Sequence, residues 1–250
     1  MREGVPPFFL EVEAMQFFSW SRFYSNLPKL LKTLPVTLEV VVVAYSLGLV
    51  LAVLLACLRI RKIPVLNQLA VIFISFERDT PLLVQMLVSY YGLPLLLSSL
   101  LDISTRGWPR IIFVYIAYTA NVAAFLSEVF RSAILSIPQG QKDAALACGL
   151  TGRQCFLRII LPQSIRIALP NMWTFLISLV KSTSYVYMIG VVDIIGRAQA
   201  IGSATSHSLE SYIIVALVFV TLSLLLQLPY SFVEKKLSFY TRQKEEKHDL

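Results

Sequence analysis

Lys181, Ser182, Thr183 and Ser184 set one ammonium and three hydroxyls side by side between the apolar runs "TFLISLV" and "YVYMIGVV". An ionisable side chain inside a membrane-length apolar segment costs roughly 2.5–3.5 kcal/mol on insertion scales and marks a path or a partner. A lone ammonium there needs water, an acceptor or an anionic ligand. Two readings follow: recognition of a polar group moving along a path, or a structural bond to a carbonyl or carboxylate. Asn121 lies mid-run in another segment and can hydrogen-bond across helices, in packing or toward a substrate. Glu128 and Arg131 are three residues apart and share a helix face, the spacing of a structural ion pair. Glu39 lies near the end of its apolar run, where it can snorkel to the interface.

Catalytic chemistry finds little support. The three cysteines, Cys57, Cys148 and Cys155, have no ligand spacing, and the two histidines, His207 and His248, are far apart. No Ser/His/Asp set appears. No G-x-x-x-x-G-K-S/T phosphate loop is present, so any ATP chemistry must come from another polypeptide. No cofactor is expected on this chain.

The elements that must position these groups are membrane spans. The chain has 250 residues, 56% hydrophobic and only 15% charged, and its mean hydropathy is +0.70. Soluble domains carry nearer a quarter charged residues. The expected fold is an all-α membrane protein of one domain with five transmembrane helices, near residues 30–58, 81–101, 111–134, 167–195 and 212–233. Residues 1–28 are mixed and aromatic and read as an external or interfacial lead-in. No cleavable signal fits them, since Glu3, Glu11 and Glu13 replace a basic start. The run 63–76 is too short to cross and reads as a lead-in helix near the cytoplasmic face. Thr80 before Pro81 reads as a helix start with a hydroxyl cap. Gly202, Ser203 and Ser206 mark a loop before the last span, and residues 234–250 a cytoplasmic tail.

Lys and Arg asymmetry orients the bundle. With the N-terminus outside, fourteen of the 22 basic residues fall on the cytoplasmic side and seven outside, with Lys181 inside the membrane. That bias favours N-out, C-in. The net charge of +7 is then explained by cytoplasmic loops, not by nucleic acid.

One segment is neither span nor simple loop. Residues 135–165, between the third and fourth spans, include "SIPQGQKDAALACGL" and then "TGRQ". Pro138 suits a helix start, and Gly149 suits a left-handed helix end. Thr151 with Gln154 forms a capping box. Pro162 is expected to stop the second helix at Leu161. Ala144, Ala145 and Ala147 leave a nearly bare surface that another backbone could approach. An ordinary loop packed on its own bundle and a segment seated in a cytoplasmic partner's groove remain equally open at this level.

The spacing Asp143-Ala144-Ala145, three residues, Gly149, nine residues, Ile159-x-Leu161-Pro162 resembles the "EAA" loop of ABC-importer permeases, with Asp143 where that family usually has Glu. "DTPLLVQ" followed by "YYGLP", "NVAAFLSEVFRSAILSIPQGQ", "LVKSTSYVYMIG" and "ESY" resemble patterns of the polar amino acid permeases. The likeness covers roughly residues 25–233. Departures fall at Glu77, Asp79 and Phe125, and at Ser182, which stands where the family has Asp and so argues mildly against a strongly cationic substrate.

The resemblance implies the type I importer fold and a permease dimer, of identical or paralogous chains. It also implies two ATPase subunits that bind ATP and Mg, and an external or periplasmic binding protein. The insert becomes the coupling element, carried by Gly140, Asp143, Ala144, Ala145, Gly149, Leu161 and Pro162. Lys181, Ser182, Thr183, Ser184, Asn121 and Glu128 are the candidate substrate path. A bacterial cytoplasmic membrane and uptake of a polar amino acid, cystine among the possibilities, are the expectation. An ion-gradient secondary transporter is the rival, although such proteins usually show repeated halves, and none is evident here.

Overall fold

A computed structural model describes residues 18–246, and side chains from residue 18 to residue 230. Most of the N-terminal lead-in and the side chains of the tail therefore lie outside the described residues. Those described are helical throughout, with no strand. Helices α1 (Trp20–Leu31) and α2 (Leu34–Arg61) form one long apolar assembly, interrupted only at Lys32 and Thr33. Then come α3 (Leu66–Asp79), α4 (Leu82–Leu101) and α5 (Arg110–Leu135). The insert contributes α6 (Gln139–Ala147) and α7 (Gly152–Cys155). A π turn (Phe156–Ile160) leads from α7 into α8 (Leu161–Ser182), and a 3-10 segment (Thr183–Ile189), α9 (Ile194–Thr205) and α10 (Leu209–Glu246) complete the chain.

Among the described residues, four stretches are long and apolar enough to cross a membrane: Trp20–Arg61, Leu82–Leu101, Arg110–Leu135 and Leu209–Tyr230. A fifth arises if the bent pair Gly152–Ile189 and Ile194–Thr205, which meet at 49°, counts as one. Many large apolar side chains of α2, α4 and α10 point outward, among them Val50, Leu54, Leu95, Leu100 and Leu224. That is the reverse of a soluble surface and suits contact with lipid tails.

Helix α5 is the axis of the bundle. Val114, Tyr118, Val122 and Leu126 are all fully buried. Its main partner is α2, on which Ala44, Gly48, Ala52 and Ala56 recur every fourth residue and are all buried. A Cβ built on Gly48 would stand 2.5 Å from Val122 Cβ and 3.1 Å from the Thr119 carbonyl oxygen. The absence of a side chain thus lets the two backbones meet, the usual device where lipid offers no hydrophobic drive to helix association.

Helix α1 carries aromatic residues on one side and polar contacts on the other. Trp20 stacks on Tyr24 with ring centroids 5.9 Å apart, and Phe23 packs edge-on to both. On its inner side Asn26 Nδ2 donates to Ser211 Oγ at 3.3 Å, and Arg22 pairs with buried Glu210 at 3.3 Å. Trp20–Leu31 is thus a helix docked on the start of α10.

Four local expectations need correction. Pro81, not Thr80, is the N-cap of α4, and no side chain caps that helix. Thr80 closes α3 instead, in an extended conformation, as the residue before a proline favours. Pro162 does not end a helix: it lies in the first turn of α8, and the chain runs through the π turn straight into that helix. A wider turn accommodates the bond that proline cannot donate. The helix that carries the expected fourth span accordingly begins at Leu161, earlier than residue 167, and it tightens to 3-10 at Thr183. Finally, Gly202 and Ser203 belong to α9, not to a loop. A Cβ on Gly202 would come within 2.3 Å of Ser208 Oγ, so this glycine admits the turn that follows.

Candidate functional site

Two regions carry the residues singled out by sequence, at opposite ends of α8. At its C-terminal end Lys181 is exposed and its ammonium makes no ion pair or hydrogen bond among the described residues. Its hydroxyl neighbours point elsewhere. Ser182 Oγ donates to the Leu179 carbonyl at 2.8 Å and Thr183 Oγ1 to the Val180 carbonyl at 2.7 Å. Both satisfy their own helix, a common fate of hydroxyls in apolar helices. Thr183 is fully buried, while Ser182 and Ser184 are half-buried. The carbonyl of Ser182 accepts from Tyr118 Oη at 2.6 Å, which fastens the α8 end to the axis helix.

The other two path candidates, Asn121 and Glu128, are not gathered around Lys181. Asn121 is buried and donates to Gln85 Oε1 at 3.0 Å. Gln85 in turn donates to the carbonyls of Glu77 at 2.5 Å and Thr80 at 2.9 Å, bridging the break between α3 and α4. Glu128 lies between two guanidinium groups: it accepts from Arg59 Nη1 at 2.7 Å and is ion-paired to Arg131. The Glu128–Arg131 face predicted from spacing is thus present, extended by Arg59 from α2.

Sequence reasoning missed several residues here. Tyr115 Oη donates to Glu39 Oε1 at 2.5 Å, so exposed Glu39 has a partner on α5. Arg110 Nη1 donates to the Ile189 carbonyl at 3.3 Å and crowds Gly190, whose φ of +79° only glycine accepts readily. Asp193 is buried and caps α9 by accepting from the Gly196 N–H at 2.8 Å. The pattern Asp193-x-x-Gly196 ahead of an apolar run was a readable cap signal. The Tyr115–Glu39 and Arg110–Ile189 contacts join distant segments and leave no local trace.

At the other end, α6 and α7 form a compact elbow outside the apolar helices. Gln139, Gly140, Lys142, Asp143 and Ala144 are exposed on α6. Ala145 faces inward and is buried, so the bare surface expected of three alanines reduces to Ala144 and Ala147. Helix α6 ends through bonds from Gly149 N–H to the Leu146 carbonyl at 2.9 Å and from Leu150 N–H to the Ala145 carbonyl at 3.1 Å. Gly149 holds φ +80° with open space around it. Thr151 and Gln154 make both bonds of the capping box. Gln163 Nε2 donates to Gln141 Oε1 at 2.6 Å, tying the elbow to α8, where Leu161 is half-buried and Pro162 exposed. The elbow is therefore bonded to the helix that carries Lys181 in its last turn.

The match to known sequences decides the family. Residues 48–239 match the binding-protein-dependent transport system inner membrane component. The chain belongs to that family. This permease is 39% identical over 210 residues to an L-cystine transport system permease protein of Bacillus subtilis (strain 168), covering 84% of this chain and 87% of the relative. It is 35% identical to an arginine transport system permease protein of the same organism, covering 85% and 94%. Among solved structures it is similar to an amino acid ABC transporter crystallised with histidines, at a TM-score of 0.75 and 26% identity over 90% of this chain and 99% of that one. The permease is thus a multi-pass inner-membrane protein of the type I importer fold, and its outward-facing apolar helices agree with that.

Proposed function

We propose that this chain is the transmembrane subunit of an ATP-driven importer that carries a polar amino acid, or a close relative such as cystine, into the cell by alternating access. In this reading the bundle has five spans with the N-terminus outside and the C-terminus inside. Two such permease subunits pair, two ATPase subunits bind ATP and Mg beneath them, and an external binding protein delivers the solute. This chain holds no cofactor of its own.

The observation that carries the reading is the elbow of α6 and α7. It leaves the apolar bundle, presents Asp143 and Ala144, and returns through the Gly149 turn and the capping box into α8. An ATPase groove that receives α6 can shift α8 through the Gln141–Gln163 bond and the continuous backbone. Gly140, Asp143, Ala144 and Gly149 form the contacting surface, while Ala145, Leu161 and Pro162 shape its support. Lys181, exposed at the far end of α8 beside Ser182 and Ser184, faces the solute. Thr183, Asn121 and Glu128, with their polar atoms engaged inside the bundle, hold the helices that line the path. The L-cystine relative supports a solute with two polar ends.

The test is co-purification of the ATPase with the permease, read alongside uptake in vesicles. Gly149→Val forces a β-branched residue to positive φ, and Ala144→Trp adds bulk to the exposed face. Both should insert normally and lose the ATPase or lose coupled uptake. Full ATPase binding with full uptake in Ala144→Trp would make the elbow an ordinary loop.

A further inference from the structure

A cavity of about 990 Å³ opens between α2, α5, the π turn and the first half of α8, far from Lys181. Its walls are almost wholly apolar: Val53, Ala56, Phe156, Leu157, Ile165 and Ala168 line it. A polar solute has nothing to bond there. Val53, Leu157 and Ile165 are each about half exposed, at 48%, 47% and 53%, so the cavity is open to the surroundings of the bundle. It is continuous with the outward-facing apolar belt of α2, at Val50 and Leu54.

Two cations stand at one end. Arg61 closes α2, and Arg153 lies on α7; both line the cavity and both are exposed. Neither makes an ion pair among the described residues, whereas neighbouring Arg59 is neutralised by Glu128. Arg61 ends the candidate span Trp20–Arg61 and Arg153 stands at the very start of the candidate span Gly152–Ile189, so both sit at span ends, the depth of lipid headgroups. Apolar walls along the bundle with paired guanidinium groups at headgroup level match an amphiphile with an acyl chain and a phosphodiester.

We infer that this crevice is a binding site for an anionic phospholipid, its acyl chain between α2 and α8 and its phosphate held by Arg61 and Arg153. A zwitterionic lipid would fit the walls and gain less from the arginines. The inference does not depend on which solute the permease moves.

The experiment places a tryptophan at Ile165, an exposed wall position, in the full chain purified with the subunits that accompany it. The protein is reconstituted in phosphatidylcholine vesicles doped with phosphatidylglycerol or phosphatidylcholine brominated in the acyl chain. The difference in quenching between Ile165→Trp and the parent removes the signal of Trp20, Trp108 and Trp173. Brominated phosphatidylglycerol should be preferred, by about fivefold in relative affinity per arginine and roughly thirtyfold for the pair. The double change Arg61→Gln and Arg153→Gln should bring the two lipids to parity. Equal quenching by both lipids in the parent background, or a preference that survives the arginine changes, overturns the inference. Quenching by neither lipid means protein fills the crevice and overturns it too. Val53→Trp, on the facing helix, serves as the reporter if Ile165→Trp does not assemble.

Discussion

Asn121 and Gln85 meet through a 3.0 Å hydrogen bond that fixes the middle of the axis helix to the break between α3 and α4. Gln85 holds both sides of that break, because its amide also reaches the carbonyls of Glu77 and Thr80. Gln85→Leu would leave two carbonyls and the Asn121 amide without a partner. An unmet buried polar group costs about 1–3 kcal/mol. Gln85→Leu should therefore lower the thermal unfolding midpoint of the purified permease more than Asn121→Leu, which orphans one oxygen. Equal losses would mean that the Glu77 and Thr80 carbonyls find other donors.

Gly48 should tolerate no side chain. Its Cβ would fall 2.5 Å from Val122, which is fully buried and cannot swing away. Overpacking of this kind costs about 1–3 kcal/mol. Gly48→Ala should reduce stability in detergent, and a compensating Val122→Ala should restore much of it. A double-mutant cycle on the unfolding midpoint checks this; additive losses would show that α2 and α5 separate rather than clash.

That pairing also shows how far the sequence could be read. Hydropathy located the long apolar helices Leu82–Leu101, Arg110–Leu135 and Leu209–Tyr230 within a few residues, because lipid demands apolar length and little else. The elbow was legible because its stops and caps are local: Gly149 and the Thr151–Gln154 box stand as spacing alone predicts. The series Ala44, Gly48, Ala52, Ala56 was readable as small residues every fourth position, yet it lay hidden within an apolar run whose length had already been explained. Pro162 misled because a π turn relieves the constraint that proline usually enforces. The bonds from Gln85, Tyr115 and Arg110 depend on which helices become neighbours, and a single sequence carries no such signal.

Lys181→Met should separate transport from stability. The ammonium is exposed and makes no hydrogen bond or ion pair among the described residues, so its loss should change unfolding by no more than about 0.5 kcal/mol. Binding-protein-dependent uptake should fall severalfold while basal ATP hydrolysis by the assembled complex persists. An assembled variant with normal uptake would remove Lys181 from the path. A variant that fails to assemble would give it a structural role at a subunit contact.

Topology is open to direct labelling. In a background with Cys57, Cys148 and Cys155 replaced, a cysteine at Ser203 should react with a membrane-impermeant reagent added outside intact cells, since Ser203 is exposed on α9. A cysteine at Gln243 should react only after permeabilisation. The opposite pattern would reverse the orientation argued from Lys and Arg.

The unbroken path from α7 through the π turn into α8 makes this part of the chain a lever. Between Arg158, within the π turn, and Lys181 the backbone climbs about 35 Å at ~1.5 Å per residue. A rigid tilt of about 5° at the π turn therefore carries the Lys181 end sideways by about 3 Å, close to the width of a water molecule. The wide turn lies near the short arm, where a small push from the elbow gains the most travel. The residue that misled the sequence reading, Pro162, stands beside that fulcrum.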